Sequence, residues 1–167
     1  MIELIIKYAS YNLWANLMIL NKLNTLPEDI LNKELKSSFR SISRTILHIY
    51  DAETIWLRRL EGHSLNNWPS EDFSGTTNEA LQMLENASKN IRDYVKNISA
   101  ESLYNECTFT SFAGVKFAIK VHDVIQHCMN HSTFHRGQIV TMLRELDITE
   151  LPSTDYIAYI RTHERQN

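Results

Sequence analysis

The sequence predicts an all-α protein, an up-down four-helix bundle with a short hairpin before the fourth helix and a short C-terminal helix. Two observations favour this class. The 167-residue chain contains only four glycines and three prolines, so few residues interrupt its helices. Apolar residues also recur every three or four positions along four long segments, and each such helix must bury its apolar stripe against the others.

The first two long helices follow from this periodicity. The first is predicted over about Glu3 to Leu26, where Pro27 closes it. The second is predicted over about Ser38 to Glu61, because Gly62 then occupies the position of a C-terminal cap. The segment from His63 to Gly75 is polar and contains a Trp-Pro pair, so it is predicted to be a loop.

The second half of the chain has its own boundary signals. Thr76 opens the third helix, and its spacing to Glu79 matches a capping box. β-Branched and aromatic residues around a central glycine predict a short hairpin over Cys107–Ile119. The fourth helix is predicted from about Lys120 to Leu146, and a short last helix from Pro152 to about Arg161.

Length and composition restrict the class of protein. A chain of this size is expected to form one domain over residues 1–167. The net charge of −3 argues against nucleic-acid binding, and no apolar run approaches the ~20 residues of a membrane span. The start of the chain lacks the pattern of a signal peptide, and Cys107 and Cys128 form no disulfide framework. A cytoplasmic location without membrane association is therefore expected.

Three histidines, each one helical turn after the last, make the fourth helix the candidate functional element. Two imidazoles at positions i and i+4 can hold one metal ion. On a helical wheel, His131 and His135 fall within the apolar arc, whereas His127 lies at its margin. Spacing alone leaves open which adjacent pair would bind. No glutamate follows His127, so the segment is not the HExxH motif of zinc peptidases.

A fourth histidine on the second helix also leans inward. His48 lies between apolar neighbours on its wheel, where a single histidine is more often a hydrogen-bonded core residue than a ligand. Three inward histidines on two helices favour a metal more strongly, because buried imidazole nitrogens cost free energy unless they are satisfied. The residues by themselves leave a metal site and a hydrogen-bonded core as alternatives.

Other side chains near these histidines each allow two interpretations. Gln138 could hydrogen-bond a ligand or a metal-bound water, or it could be a polar contact between helices. Cys128 could join the coordination sphere or act as a nucleophile, but a small buried hydrophobe is favoured. Asp51 could support His48, but a solvated surface charge is favoured. Glu53 lies inside an apolar stripe, which a partner such as Arg136 or a dimer interface would explain.

Several motifs resemble one known family. NHSTFHRGQIVTMLREL, followed by LPSTDYIAYIR, is similar to the C-terminal signature of the DinB/YfiT-like superfamily of metal-binding four-helix bundles. HIYDAETIWLRRL resembles the family's histidine followed by an acidic residue and a tryptophan, and YASYNLWANLMIL resembles its first helix. The resemblance covers nearly the whole chain. The His63–Gly75 loop and the hairpin are its least distinctive parts.

The resemblance implies a metal triad of His48, His131 and His135, in agreement with the helical wheels. It implies a divalent transition metal, nickel or zinc, between which three imidazoles do not choose. It also implies a low-molecular-weight thiol cosubstrate, as several relatives use, and hence a thiol-dependent transferase or a hydrolase. Three histidines leave a coordination position open, as in catalytic sites. No residue in the sequence is a convincing general base.

The alternative is a stress-associated metal-binding protein without catalysis. In that case the metal would mainly tie the second and fourth helices together. The resemblance further implies a homodimer, and Tyr8, Trp14 and Tyr50 are predicted to be exposed aromatic residues that would serve its interface. The expected partners are therefore a second copy of the chain and a small-molecule or thiol substrate.

Overall fold

The computed structural model describes residues 1–164 and confirms the mostly helical architecture. Four long helices are accompanied by two short ones, one 3-10 turn and a two-stranded antiparallel hairpin. Their bounds are α1 Ile2–Leu23, α2 Glu28–Asn32, α3 Ile42–Leu60, α4 Thr77–Asn97, the 3-10 turn Glu101–Tyr104, β1 Glu106–Thr110, β2 Lys116–Lys120, α5 Val121–Glu145 and α6 Tyr156–Glu164.

The four long helices surround a core that has three levels. Helices α1 and α3 each pack against both α4 and α5. One apolar cluster, which includes Leu20, Ile49 and Leu84, fills one end of the bundle, and a second cluster, which includes Ile91 and Ile125, fills the other. Between them lie six buried polar residues, called here the polar layer: Asn12, Asn16, Glu53, Ser88, Ser132 and Arg136.

Predicted caps are present where the sequence places them. Thr76 and Glu79 form a capping box at the start of α4. Gly62 has a φ of 85°, and its N–H and that of His63 donate to the carbonyl oxygens of Arg59 and Arg58 at the end of α3. The predicted hairpin also forms, with Cys107 paired opposite Ile119.

Several boundaries differ from the prediction. Helix α3 begins at Ile42 and not near Ser38, because Arg40 adopts a left-handed φ of 62° and the hydroxyl of Ser41 accepts a hydrogen bond from the N–H of Arg44. Helix α1 ends at Leu23, three residues earlier than predicted. The short α2 was not predicted, since five residues carry too little periodicity.

The last helix covers aromatic residues that the sequence analysis expected to be exposed. Helix α6 begins at Tyr156, later than the predicted Pro152, and its Tyr159 lies 5.5 Å from the ring of Trp14. Tyr8 contacts Tyr156 and stacks on Tyr11. The expectation of exposed rings is therefore wrong for Tyr8 and Trp14, which are half-buried. It is also wrong for Tyr50, which is half-buried against the apolar cluster that includes Leu20 and Ile49. Among residues 1–164, no helix combines the length and the apolarity needed to cross a membrane.

Candidate metal centre

Three imidazole side chains from two packed helices meet at one point of the structure. Nε2 of His131 lies 3.0 Å from Nε2 of His48 and 3.1 Å from Nε2 of His135. His131 and His135 are one turn apart on α5, and His48 approaches from α3, which packs directly against α5. One nitrogen from each ring lies within 4.8 Å of the others, a grouping that could hold a metal ion.

The structure therefore brings His48, His131 and His135 together, as predicted, and His127 is not part of this group. The ring of His127 lies 6.0 Å from that of His131 and contacts the edge of Trp56 at 4.9 Å. A helix rotates by about 100° per residue. Four residues therefore turn the helix by about 400°, so His127 lies about 40° to one side of His131 and His135 lies about 40° to the other. His127 consequently faces Trp56 and not the point where the other three imidazoles meet.

The protonation state of the three rings suits ligands. Burial, together with repulsion from the neighbouring His135, lowers the pKa of His48 to about 4. Burial and repulsion from the neighbouring imidazoles together lower the pKa of His131 to about 3. The pKa of His135 is lowered by burial as well. All three are therefore neutral near pH 7, which is the form of imidazole that binds metal ions.

Gln138 orients one of the three rings. Its Oε1 lies 2.7 Å from Nδ1 of His135. When Nδ1–H donates to this oxygen, Nε2 carries no proton and its lone pair faces the other two histidines. Of the two interpretations that the sequence left open, the structure thus supports a hydrogen bond to a candidate ligand. By contrast, Nδ1 of His131 is buried and has no hydrogen-bond partner among the described residues.

Two aromatic residues from loops surround the triad, and sequence reasoning did not identify them. The ring of Phe39 stacks on His48 with centroids 3.9 Å apart and also lies 5.5 Å from His135. Trp68 approaches His48 at 6.2 Å. Neither residue belongs to a helix, so periodicity could not place them. For Trp68 the only signal was an aromatic residue in an otherwise polar loop, whereas Phe39 fell inside the predicted second helix, which begins only at Ile42.

Asp51 attaches the loop that carries Trp68 to helix α3. Its Oδ1 accepts a hydrogen bond of 2.7 Å from the N–H of Ser70, and its Oδ2 accepts one of 2.6 Å from the Ser70 hydroxyl. The side chain is buried, so the favoured interpretation of a solvated surface charge is wrong. Burial raises the pKa of Asp51, and the hydrogen bonds from Ser70 oppose that rise.

The polar layer lies directly behind the triad. Ser132 and Arg136 each follow a triad histidine on α5 by one residue, and both are buried. Glu53 accepts hydrogen bonds from one residue on α4, one on α5 and two on α1, namely Ser88, Ser132, Asn12 and Asn16. The same two asparagines accept hydrogen bonds of 2.7 Å from Nη1 of Arg136.

The buried carboxylate of Glu53 is stabilised by this hydrogen-bond network and not by a direct ion pair. Arg136 is its partner as hypothesised, but the two charges are bridged by the side-chain amides of Asn12 and Asn16. All four long helices contribute to the layer. Their relative positions, including those of His131 and His135, are therefore coupled through its hydrogen bonds.

Cys128 behaves as a buried apolar residue. It is fully buried within the second apolar cluster and is not among the three grouped ligand atoms. Burial raises the pKa of its thiol well above the ordinary value, and the nearby Glu53 raises it further. A thiol held protonated in this way is a poor nucleophile.

The fold and the site define a class of protein: a four-helix bundle in which facing helices present three neutral imidazoles to one point. Comparisons with known proteins agree with that class. The family model described as the DinB family matches residues 1–167. Protein DinB of Bacillus subtilis (strain 168) is 31% identical, over 92% of this chain and 92% of that protein. The chain belongs to the DinB family.

Two solved structures show the same fold. A DinB-like protein from Bacillus cereus ATCC 10987 superposes with a TM-score of 0.66 at 15% identity, covering 86% of this chain and 91% of that one. A DinB-like protein from Bacillus subtilis gives a TM-score of 0.65 at 16% identity, with 89% and 96% covered. At these identities the likeness concerns the fold alone.

Proposed function

We propose that His48, His131 and His135 bind one divalent transition metal ion, nickel or zinc, and that the protein is a metal-dependent enzyme for small molecules. The reaction class is a thiol-dependent transfer or a hydrolysis. The observation that carries this proposal is the meeting of three imidazoles: Nε2 of His131 lies 3.0 Å from Nε2 of His48 and 3.1 Å from Nε2 of His135, and one nitrogen of each ring lies within 4.8 Å of the others.

The donor set fits such an ion. Metal–nitrogen distances of about 2.0–2.1 Å in a tetrahedral site separate two ligand nitrogens by about 3.3 Å, close to the distances observed. Neutral imidazoles satisfy zinc and nickel equally well. Without an ion, Nε2 of His131 can form a hydrogen bond with only one of the two nitrogens that face it, because it carries either one N–H or one lone pair. One bound cation would satisfy all three at once.

An ion held by three imidazoles keeps a position for a ligand, where it would lower the pKa of a bound water or thiol. Residues beside the triad would orient the ligands and shield the ion from water. Gln138 holds His135 in the tautomer that presents Nε2. Phe39 covers His48 on one side and limits the access of water. No described carboxylate or further imidazole is placed as a general base at the triad, so the proposed chemistry depends on the acidity that the ion confers.

The alternative is a non-catalytic, stress-associated protein in which the metal is structural. One observation favours this alternative: the triad takes residues from both α3 and α5, two helices that pack directly against each other. A metal bridging two helices would stabilise the fold whether or not a substrate enters the open position.

Metal removal and a thiol assay separate the two functions. Metal analysis of the purified protein is expected to give about one nickel or zinc ion per chain. Chelation is expected to lower the melting temperature, since the ion binds the folded state alone. For the enzyme, a low-molecular-weight thiol should then shift the absorption spectrum of the cobalt- or nickel-loaded protein. A thiol that leaves this spectrum unchanged would contradict the thiol-dependent transfer. If the protein also shows no metal-dependent hydrolysis, the fall in melting temperature would leave only the structural function.

The proposal includes a homodimer in the cytoplasm. Its support is an exposed apolar surface, since Leu4 is 62% exposed and lines a cavity of about 340 Å³ with Tyr8 and Tyr156. We expect light scattering to give twice the mass of one 19.5 kDa chain. Leu4→Glu should shift that mass toward the monomer, while Val115→Glu, another exposed apolar position on the hairpin turn, should not. A monomeric mass for the unaltered protein would contradict the dimer.

A further inference from the structure

A cavity of about 420 Å³ lies beside the triad, on the side of His48. Its floor is one face of α3, where Arg44, His48 and Asp51 follow one another at helical spacing. Its walls are Phe39 and Trp68 from the two loops described above. The volume lies in the range of small-molecule sites, about 300–1,000 Å³.

The walls of the cavity are aromatic and are held in place. Phe39 is fixed by its stacking on His48. Trp68 is fixed by the Asp51–Ser70 hydrogen bonds two residues away and by an edge contact with Phe112 at 5.0 Å. Trp68 is nevertheless 46% exposed, so part of its large apolar ring faces solvent although its position is fixed. Flat apolar molecules are suited to such surfaces.

Arg44, an exposed residue, places a positive charge without an ion-pair partner among the described residues at the edge of the cavity. Within residues 1–164, the guanidinium of Arg44 has no ion pair, whereas the nearby Arg40 pairs with Glu34 at 3.2 Å. Asp51 forms no ion pair with Arg44 within those residues, and its two oxygens accept hydrogen bonds from Ser70. Their backbone positions are seven residues, about 10 Å, apart along the helix.

We infer that this cavity binds a small molecule that has a flat apolar body and one carboxylate. The body lies against Trp68 and Phe39, and the carboxylate accepts hydrogen bonds from the Arg44 guanidinium. Arg44 and His48 are four residues apart, about 6 Å along the helix, so one small molecule can reach both side chains. The inference rests on the proposed function, because the far end of the molecule would face His48 and the metal. It names the substrate class of that site.

The test uses calorimetric titration of the full-length, zinc-loaded protein with 2-naphthoate. We expect binding, and we expect Arg44→Gln to weaken it about tenfold or more, the size of effect of a hydrogen bond to a charged group. The uncharged 2-naphthamide should bind more weakly and should not distinguish Arg44→Gln from the unaltered protein. The matched control is Arg40→Gln, which removes a neighbouring arginine that does not line the cavity and should leave naphthoate binding unchanged.

Each outcome has one meaning for the cavity. No measurable heat with naphthoate at millimolar concentration, or equal affinity in Arg44→Gln, would overturn the inference. Equal loss in Arg40→Gln would do the same, since the effect would then be one of general surface charge. Zinc content is measured in every sample. A protein that holds zinc but does not bind naphthoate contradicts the cavity alone, whereas absence of zinc contradicts the proposed function. In that case, Arg44-dependent binding to the metal-free protein would still support the cavity.

Discussion

Replacing Glu53 with alanine is expected to lower the free energy of unfolding by about 3–5 kcal/mol, the usual cost of breaking a buried charge network from one side. The substitution leaves Arg136, only 2% exposed, without a counter-charge. It also removes the acceptor of four hydrogen bonds from the other three long helices. Since a domain is stable by about 5–15 kcal/mol in total, the expected loss is a large part of it. Urea denaturation measures it.

Two further variants make this result specific. Glu61→Ala removes a carboxylate at the C-terminal end of the same helix, where it pairs with Arg58 at the surface, and it should cost less than about 1 kcal/mol. Glu53→Gln keeps one acceptor oxygen but removes the charge, so its cost should lie between the two. If Glu53→Ala is no more destabilising than Glu61→Ala, the polar layer does not hold the helices together.

Replacing His131 with alanine is expected to weaken nickel or zinc binding by more than about 100-fold. The reason is geometric: His131 contributes the nitrogen that lies closest to both of the others, so its removal leaves two ligands on different helices. Loss of a partner behind a ligand typically costs about 10–100-fold, and Gln138→Leu should fall in that smaller range because it frees the ring of His135. Competition titration against a chelator measures both affinities.

His127→Ala is the matched control for this series. It removes an imidazole one turn earlier on the same helix, where the ring faces Trp56. Metal affinity should change by less than about twofold. A loss equal to that of His131→Ala would show that His127 belongs to the coordination sphere and that the assignment of the triad is wrong. Full affinity in His131→Ala would contradict the three-histidine site.

Local patterns in the sequence were sufficient for much of the fold. The capping box at Thr76 and the glycine cap at Gly62 appear as predicted, because each is a short-range arrangement of hydrogen bonds. The start of α3 was misplaced because a single left-handed residue, Arg40, precedes its cap, and nothing in the residue type announces that conformation. Non-glycine residues adopt it too rarely for a sequence pattern to predict it.

For the site, too, part of the geometry follows from local spacing and part from the packing of distant segments. Helical spacing determined that His131 and His135 share a face and that His48 leans inward, because a helix repeats every 3.6 residues whatever its surroundings. Only the packing of α3 against α5 decided that their nitrogens meet. Only tertiary structure, likewise, brought Phe39 and Trp68 from separate loops to His48 and joined Glu53 to Arg136 through two asparagines. Loop positions and contacts between distant helices depend on the whole chain, and no local period encodes them.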